Sequence, residues 1–213
     1  MGVAVLASAS IGCTTTVPGH PVGAGSIPGD TRAALSAEGL LLPDGSRTPL
    51  GQAQATELGG TYFTRAEPVQ CSAAVLFKGS PLPPEGATDD AESAFLIKGT
   101  VALYAESVKV YDRPLAVADV VRAALSAVTA CDGAARGISP SGGSGEPMQL
   151  SRVVVPSDGV LVWSLVRSDW SCGYGFAVIP AAVLMTSLCD RDPGFDMADW
   201  ATARRSQIQR LSV

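Results

Sequence analysis

Residues 170–189 read WSCGYGFAVIPAAVLMTSLC, and folding them about Pro180-Ala181 makes a β-hairpin. That register sets Cys172 opposite Cys189, Tyr174 opposite Ser187, Phe176 opposite Met185 and Val178 opposite Val183. The large residues then share one face. Gly173, Gly175 and Ala177 leave the other face open to close approach by a backbone or a helix. Counting pairs outward from Ile179 and Ala182 makes the two cysteines a non-hydrogen-bonded pair, the closer kind, within disulfide reach. Pro180 cannot take a positive φ, so a type I turn or a longer loop with the same centre is expected rather than type I′.

On the N-terminal side, QLSRVVV (149–155) and VLVWSLVR (160–167) form a second hairpin about PSDG, with Pro156 at the first corner and Asp158-Gly159 in left-handed positions. Ser168-Asp169 joins the two hairpins, so four strands run as a meander, a sheet of the kind that buries one face. On the C-terminal side, residues 190–213 predict a helix capped by Asp196. Met197, Trp200, Ala201, Ile208 and Leu211 turn toward the sheet, and Arg204, Arg205 and Arg210 read as solvated charges favourable to the helix C-terminus.

Further upstream, the clearest helix spans residues 114–131, where Val117, Val120, Val121, Ala124, Leu125, Val128 and Cys131 make one apolar stripe. A helix carrying Cys71 in its first turn follows Pro68. Residues 93–111 predict a long strand with a bulge at Gly99, and residues 62–65 a short one. Residues 31–42 read as a short helix leading into a strand, and GQAQATELGG (51–60) as a short helix stopped by Gly59-Gly60. Residues 80–90 and 133–147 are loop-like in composition.

The chain has 213 residues, enough for one ordinary domain with a sizeable core. A hydrophobic content of 46% with 16% charge is that of a globular protein. The net charge of −5, without a basic cluster, argues against a nucleic-acid partner. At the N-terminus the apolar run VAVLASASIGC (3–13) precedes a Pro- and Gly-rich stretch. It resembles the lipobox of bacterial lipoproteins, in which the signal is cut before a cysteine whose thiol carries a diacylglyceryl group. The likeness implies a signal segment at 1–12, lipid attachment at Cys13, a flexible tether over 13–30 and a domain over 31–213, held extracytoplasmically at the cell membrane. No Lys or Arg precedes the apolar run, so either the natural start lies upstream or the likeness is accidental.

Setting Cys13 aside leaves Cys71, Cys131, Cys172 and Cys189, and four cysteines allow three connectivities. The hairpin register selects Cys172 with Cys189, which leaves Cys71 with Cys131. On the chain-entropy model these bridges stabilise by roughly 3 and 4 kcal/mol, and they imply an oxidising compartment.

The order of these features resembles the PknH-like extracellular domain, the sensor of a mycobacterial membrane Ser/Thr kinase that also occurs in stand-alone lipoproteins. The matching residues are Cys71 after Pro68, the helix ending in Ala130-Cys131-Asp132-Gly133, the strand Trp170-Ser171-Cys172, the strand end at Cys189 and the closing helix. The resemblance implies an α+β fold: a central antiparallel sheet packed with helices, two disulfides and a ligand-binding groove. No kinase motif is present.

Nothing in the sequence points to catalysis. The single histidine, His20, lies in the tether, and GxSxG, Walker A and GxGxxG motifs are all absent. Asp89, Asp90 and Glu92 fall in an expected mobile loop, unsuited to preorganised acid–base chemistry. No cofactor or metal is expected. The expected function is non-catalytic binding of a small molecule, glycolipid or wall fragment in a groove, with Trp163, Trp170, Tyr174 and Phe176 as candidate lining. A structural or accessory protein-interaction module of the envelope is the alternative, and a cryptic hydrolase a minor one. An apolar concavity would favour the first, a flat apolar patch the second.

Overall fold

A computed structural model describes residues 35–57, 62–191 and 195–212. The expected signal segment, Cys13, the tether and the helix stop at Gly59-Gly60 lie outside them. Four α-helices accompany ten strands: α1 (Ala37–Leu40), β1 (Arg47–Thr48), β2 (Gly51–Thr56), β3 (Arg65–Glu67), α2 (Ser72–Val75), β4 (Asp89–Ile97), β5 (Leu103–Val110), α3 (Val117–Thr129), β6 (Ala134–Ile138), β7 (Met148–Ser157), β8 (Val160–Arg167), β9 (Trp170–Ile179), β10 (Ala182–Asp190) and α4 (Met197–Leu211). The strands form one antiparallel sheet in the order β1-β2-β4-β5-β10-β9-β8-β7-β6-β3. The fold is α+β with a C-terminal meander, as the sequence implies.

The opening hairpin keeps the expected register. Ile179 pairs with Ala182, Val178 with Val183, Phe176 with Met185, Tyr174 with Ser187 and Cys172 with Cys189. No non-glycine residue among those described has a positive φ, so the Pro180-Ala181 loop is not type I′. Two disulfides close the chain, Cys172–Cys189 and Cys71–Cys131. The second ties the 3₁₀ turn Val69–Cys71 ahead of α2 to the residue just past the α3 C-cap, Ala130. Val121, Ala124 and Val128 are the buried part of the α3 stripe.

The sheet buries both faces, not one. On the first, Trp163, Leu165, Tyr174, Phe176, Val178 and Met185 pack under α2 and α3. On the second, Tyr104, Val108, Val162, Ala177, Leu184 and Leu188 pack under α1 and α4. The second face can accept a helix because its residues are small where α4 crosses. A Cβ built on Gly175 would stand 2.8 Å from Ala201 Cβ and 2.6 Å from Thr186 Oγ1. Asp196 caps α4 as expected, accepting from the amides of Ala198 and Asp199.

Several local expectations are corrected. GQAQATELGG does not start a helix: residues 51–56 are β2, because pairing with β4 outweighs the weak helical preference of alternating Gln and Ala. Residues 93–111 form two strands, β4 and β5, with Gly99 at φ 84° in the turn between them rather than in a bulge. The presumed loop 80–90 contributes Asp89 and Asp90 to β4, and loop 133–147 contributes β6. The strand expected at 62–65 lies at Arg65–Glu67, and α1 leads not into a strand but into the turn before β1. Pro156 sits within β7, and of Asp158-Gly159 only Gly159 has a positive φ, 77°.

Arg204 is the largest departure. It is 1% exposed rather than solvated. Its Nε and Nη2 donate to Glu106 Oε1 and Oε2 at 2.7 and 2.8 Å, and Nη2 also donates to Leu40 O at 2.9 Å. Glu106 accepts from Leu42 N at 2.8 Å and from the Tyr104 hydroxyl. With Arg204 Nη1 donating to Gln207 Oε1 at 2.6 Å, every polar atom of the two side chains has a partner, the condition on which a buried ion pair persists. The clamp joins the chain around α1, the centre of β5 and the middle of α4.

Candidate functional site

Beyond the N-terminus of α4 no described helix covers the second face of the sheet, and a pocket of about 260 Å³ opens there. Its floor is apolar, from Val162, Val166 and Leu188, and lowest at Gly173. Phe195 and Met197 form a wall from the α4 end. Phe195 stands edge-on to Trp200, whose Nε1 donates to the Tyr104 hydroxyl at 2.9 Å, so the wall is tied to the clamp.

The polar rim comes from an irregularity in β7. Leu150 pairs with Leu165 and Arg152 with Ser164, which leaves Ser151 as an extra residue, a β-bulge. The bulge brings Ser151 and Arg152 to the same face, and Ser151 Oγ lies 2.8 Å from Ser164 Oγ. Arg152 is exposed and has no ion pair among the described residues. Ser171 and Asp190, partners across β9 and β10, complete the rim. The site therefore offers hydroxyls, one cation and one carboxylate around an apolar floor with an aromatic wall. That combination suits a ligand with a polar edge and an apolar face, such as a sugar ring. The described lining holds no histidine, cysteine or lysine.

A second, smaller pocket of about 80 Å³ lies on the first face against the Cys172–Cys189 bridge, bordered by Phe63, Phe77, Met148 and Tyr174. Phe63 lies over Gly137, where any Cβ would collide with its ring.

The four aromatics named from sequence are distributed as follows. Trp163 and Tyr174 stack at 5.2 Å between centroids and 6° between planes. Their polar atoms are engaged by α2: Trp163 Nε1 donates to Ala74 O at 2.9 Å, and the Tyr174 hydroxyl to Val75 O at 3.4 Å. Burial pushes the Tyr174 hydroxyl pKa well above its ordinary value. Phe176 is fully buried beside them, and Trp170 is half-buried at the end of the hairpin. Trp163 borders the larger pocket from the strand, its ring on the opposite face, and Tyr174 borders the smaller one. No single cavity gathers all four. The reading of the sequence missed Ser151, Arg152, Asp190 and Phe195. The available signal was Ser151-Arg152, two adjacent polar residues that break the alternation begun by Met148, Gln149 and Leu150.

Among the described residues no cluster of His, Cys, Asp and Glu could hold a metal ion, and no helix is long and apolar enough to cross a membrane.

No family model matches the chain. Curated relatives do: proteins named "Putative lipoprotein LprH" from Mycobacterium bovis and from Mycobacterium tuberculosis are 46% identical over 210 residues, covering 97% of this chain and 90% of theirs. Among solved structures, the crystal structure of the extracellular domain of PknH from Mycobacterium tuberculosis superimposes with a TM-score of 0.61 at 13% identity, covering 82% of this chain and 95% of that one. At that identity the match concerns the fold alone.

Proposed function

The chain belongs to the family of mycobacterial lipoproteins that carries the LprH name, and from that premise we propose that it is a non-catalytic envelope lipoprotein, anchored at Cys13, whose domain binds a small saccharide-like ligand beside α4. The supporting observation is the bulge at Ser151: it sets Ser151 beside Arg152 on the pocket face, next to Ser164 and Ser171 over an apolar floor, where a plain strand would have put Ser151 and Arg152 on opposite faces. Anchoring at Cys13 is supported by the reach of the family likeness, since what it leaves uncovered is fewer residues than precede Cys13. The concave, mixed lining favours a groove binder over a module acting through a flat apolar patch. Residues 31–213 act as the binding domain on this reading, with 13–30 as its tether. Trp163, Tyr174 and Phe176 support the pocket from beneath, while Trp170 packs against the core of the opposite face.

The test is native mass spectrometry of the full chain, produced with its upstream region in a mycobacterial host, against a panel of wall-derived mono- and disaccharides. A mature start at an acylated Cys13 and saturable binding that Arg152→Ala weakens about tenfold are expected. An unprocessed N-terminus would remove the anchor. Binding untouched by Arg152→Ala, or no binding across the panel, would remove the site.

A further inference from the structure

Among the described residues the sheet has an unpaired inner edge. β2 pairs with β4 only from Ala94 to Ile97, whereas β5 pairs with β4 from Asp89 to Leu96. Among the described residues no strand pairs with the outer edge of Asp89–Ser93. A run of free amides and carbonyls on a regular strand is a template for another strand, and sheets usually blunt it. Here two clefts meet along it. One, of about 700 Å³, is lined by all five residues from Asp89 to Ser93. The other, of about 430 Å³, is lined by Glu92, Ser93 and Ala94 with Tyr62 and Lys78 opposite. Successive side chains of an added strand would fall alternately toward the two sides of the sheet.

Charge identifies the occupant. The larger cleft carries five carboxylates, Glu38, Asp44, Asp89, Asp90 and Glu92, and no basic residue. Asp44 and Asp89 are engaged by the backbone amides of Ala55 and Ala37, at 2.7 and 2.8 Å, and Glu92 by Lys78 at 3.3 Å. Glu38 and Asp90 are exposed and have no ion pair among the described residues, with Lys109 on β5 the cross-strand neighbour of Asp90. A second copy presenting the same edge would set these carboxylates against themselves, and residues 14–34 of this chain carry only Asp30, Arg32 and His20 as charged or titratable side chains. We infer that the Asp89–Ser93 edge of β4 receives an extended, basic peptide segment of a partner protein by strand addition, with backbone hydrogen bonds for affinity and the acidic clefts for selection.

The test uses the full chain and an eight-residue probe peptide alternating Val or Thr with Lys or Arg, beside a control in which every basic residue is Glu. Hydrogen exchange followed by NMR reads the β4 amides. The basic peptide is expected to slow exchange within Asp89–Ser93, and the acidic one to leave it unchanged. Asp90→Asn with Glu38→Gln, which remove both exposed charges without setting a like charge against Lys109, should weaken binding about fivefold or more. Equal binding of both peptides, protection elsewhere, or no binding would overturn the inference. So would β4 amides already protected in the free chain, or a dimer by sedimentation lost in the double variant, since each puts another occupant on the edge.

Discussion

At the scale of single residues, Arg204 and Glu106 determine more than any other pair. Breaking a buried ion pair by removing one partner costs about 3–5 kcal/mol, because the other charge is left without compensation. Arg204→Met and Glu106→Gln should therefore each lower the urea midpoint by that equivalent, measured by tryptophan fluorescence. Replacing both with apolar residues, which is often neutral for an isolated pair, should not restore stability here: it strands Leu42 N–H and Leu40 C=O in the core. Tyr104 in the same cluster has its pKa raised well above the ordinary value, by burial first and then by the charge of Glu106. Tyr174 is raised by burial, and Tyr111 is pushed up to about 12 by burial. A phenol kept neutral by folding stabilises the protein fully below its unfolded pKa, and that contribution is lost as pH climbs from about 10 through the folded value. Unfolding titrations between about pH 8 and 11 should show a falling midpoint above about pH 10. Tyr174→Phe should make the fall shallower; an unchanged slope would show that burial of this phenol contributes nothing to it. None of the clamp was legible in the sequence. Arg204 stands in a run, Arg204-Arg205, in a helix rich in polar residues, where solvation is the ordinary outcome, and its partner lies 98 residues away.

Elements were legible in proportion to how local their cause is. The β9–β10 hairpin could be read because alternation of size, a turn residue and two cysteines agree within twenty consecutive positions. The α3 stripe was legible for the same reason. β2, β6 and the first residues of β4 were obscured because their pairing partners are distant or their composition is loop-like, whereas residues 93–97 were legible as strand; strand propensity expresses those partners rather than the backbone. The small residues of β9 were legible as an invitation to close approach, and α4 fills the space. Gly175→Ala should thus cost about 1–3 kcal/mol, the price of overpacking where Thr186 and Ala201 cannot both yield. Gly173→Ala, whose Cβ would meet Met197 at 3.6 Å, should be tolerated, and comparing the two by thermal denaturation isolates the contact. The candidate pocket was illegible for a different reason. Its rim depends on one extra residue in β7, and a bulge changes a side chain's face without leaving a mark beyond the broken alternation at Ser151-Arg152.

At the scale of the whole molecule, the two bridges divide the work of holding the chain. Cys172–Cys189 spans 17 residues of a hairpin that its own pairing already registers, whereas Cys71–Cys131 spans 60 and joins the turn ahead of α2 to the residue that follows the α3 C-cap. Loop entropy assigns about 4 kcal/mol to the longer bridge and about 3 to the shorter. Replacing Cys71 and Cys131 together by Ser should lower stability more than the same change at Cys172 and Cys189. Denaturant titration of both variants would decide the order, and the reverse order would mean that the hairpin bridge also carries packing for the pocket beside it. The clamp has a mechanical consequence as well. Because Leu40 and Leu42 are gripped by Glu106 on β5 and Arg204 on α4, a pull transmitted along the chain into residue 35 cannot peel α1 from the surface by itself. Tension passes directly to a strand in the sheet's interior and to the closing helix, so that the domain resists unravelling from the end by which a lipid anchor would hold it.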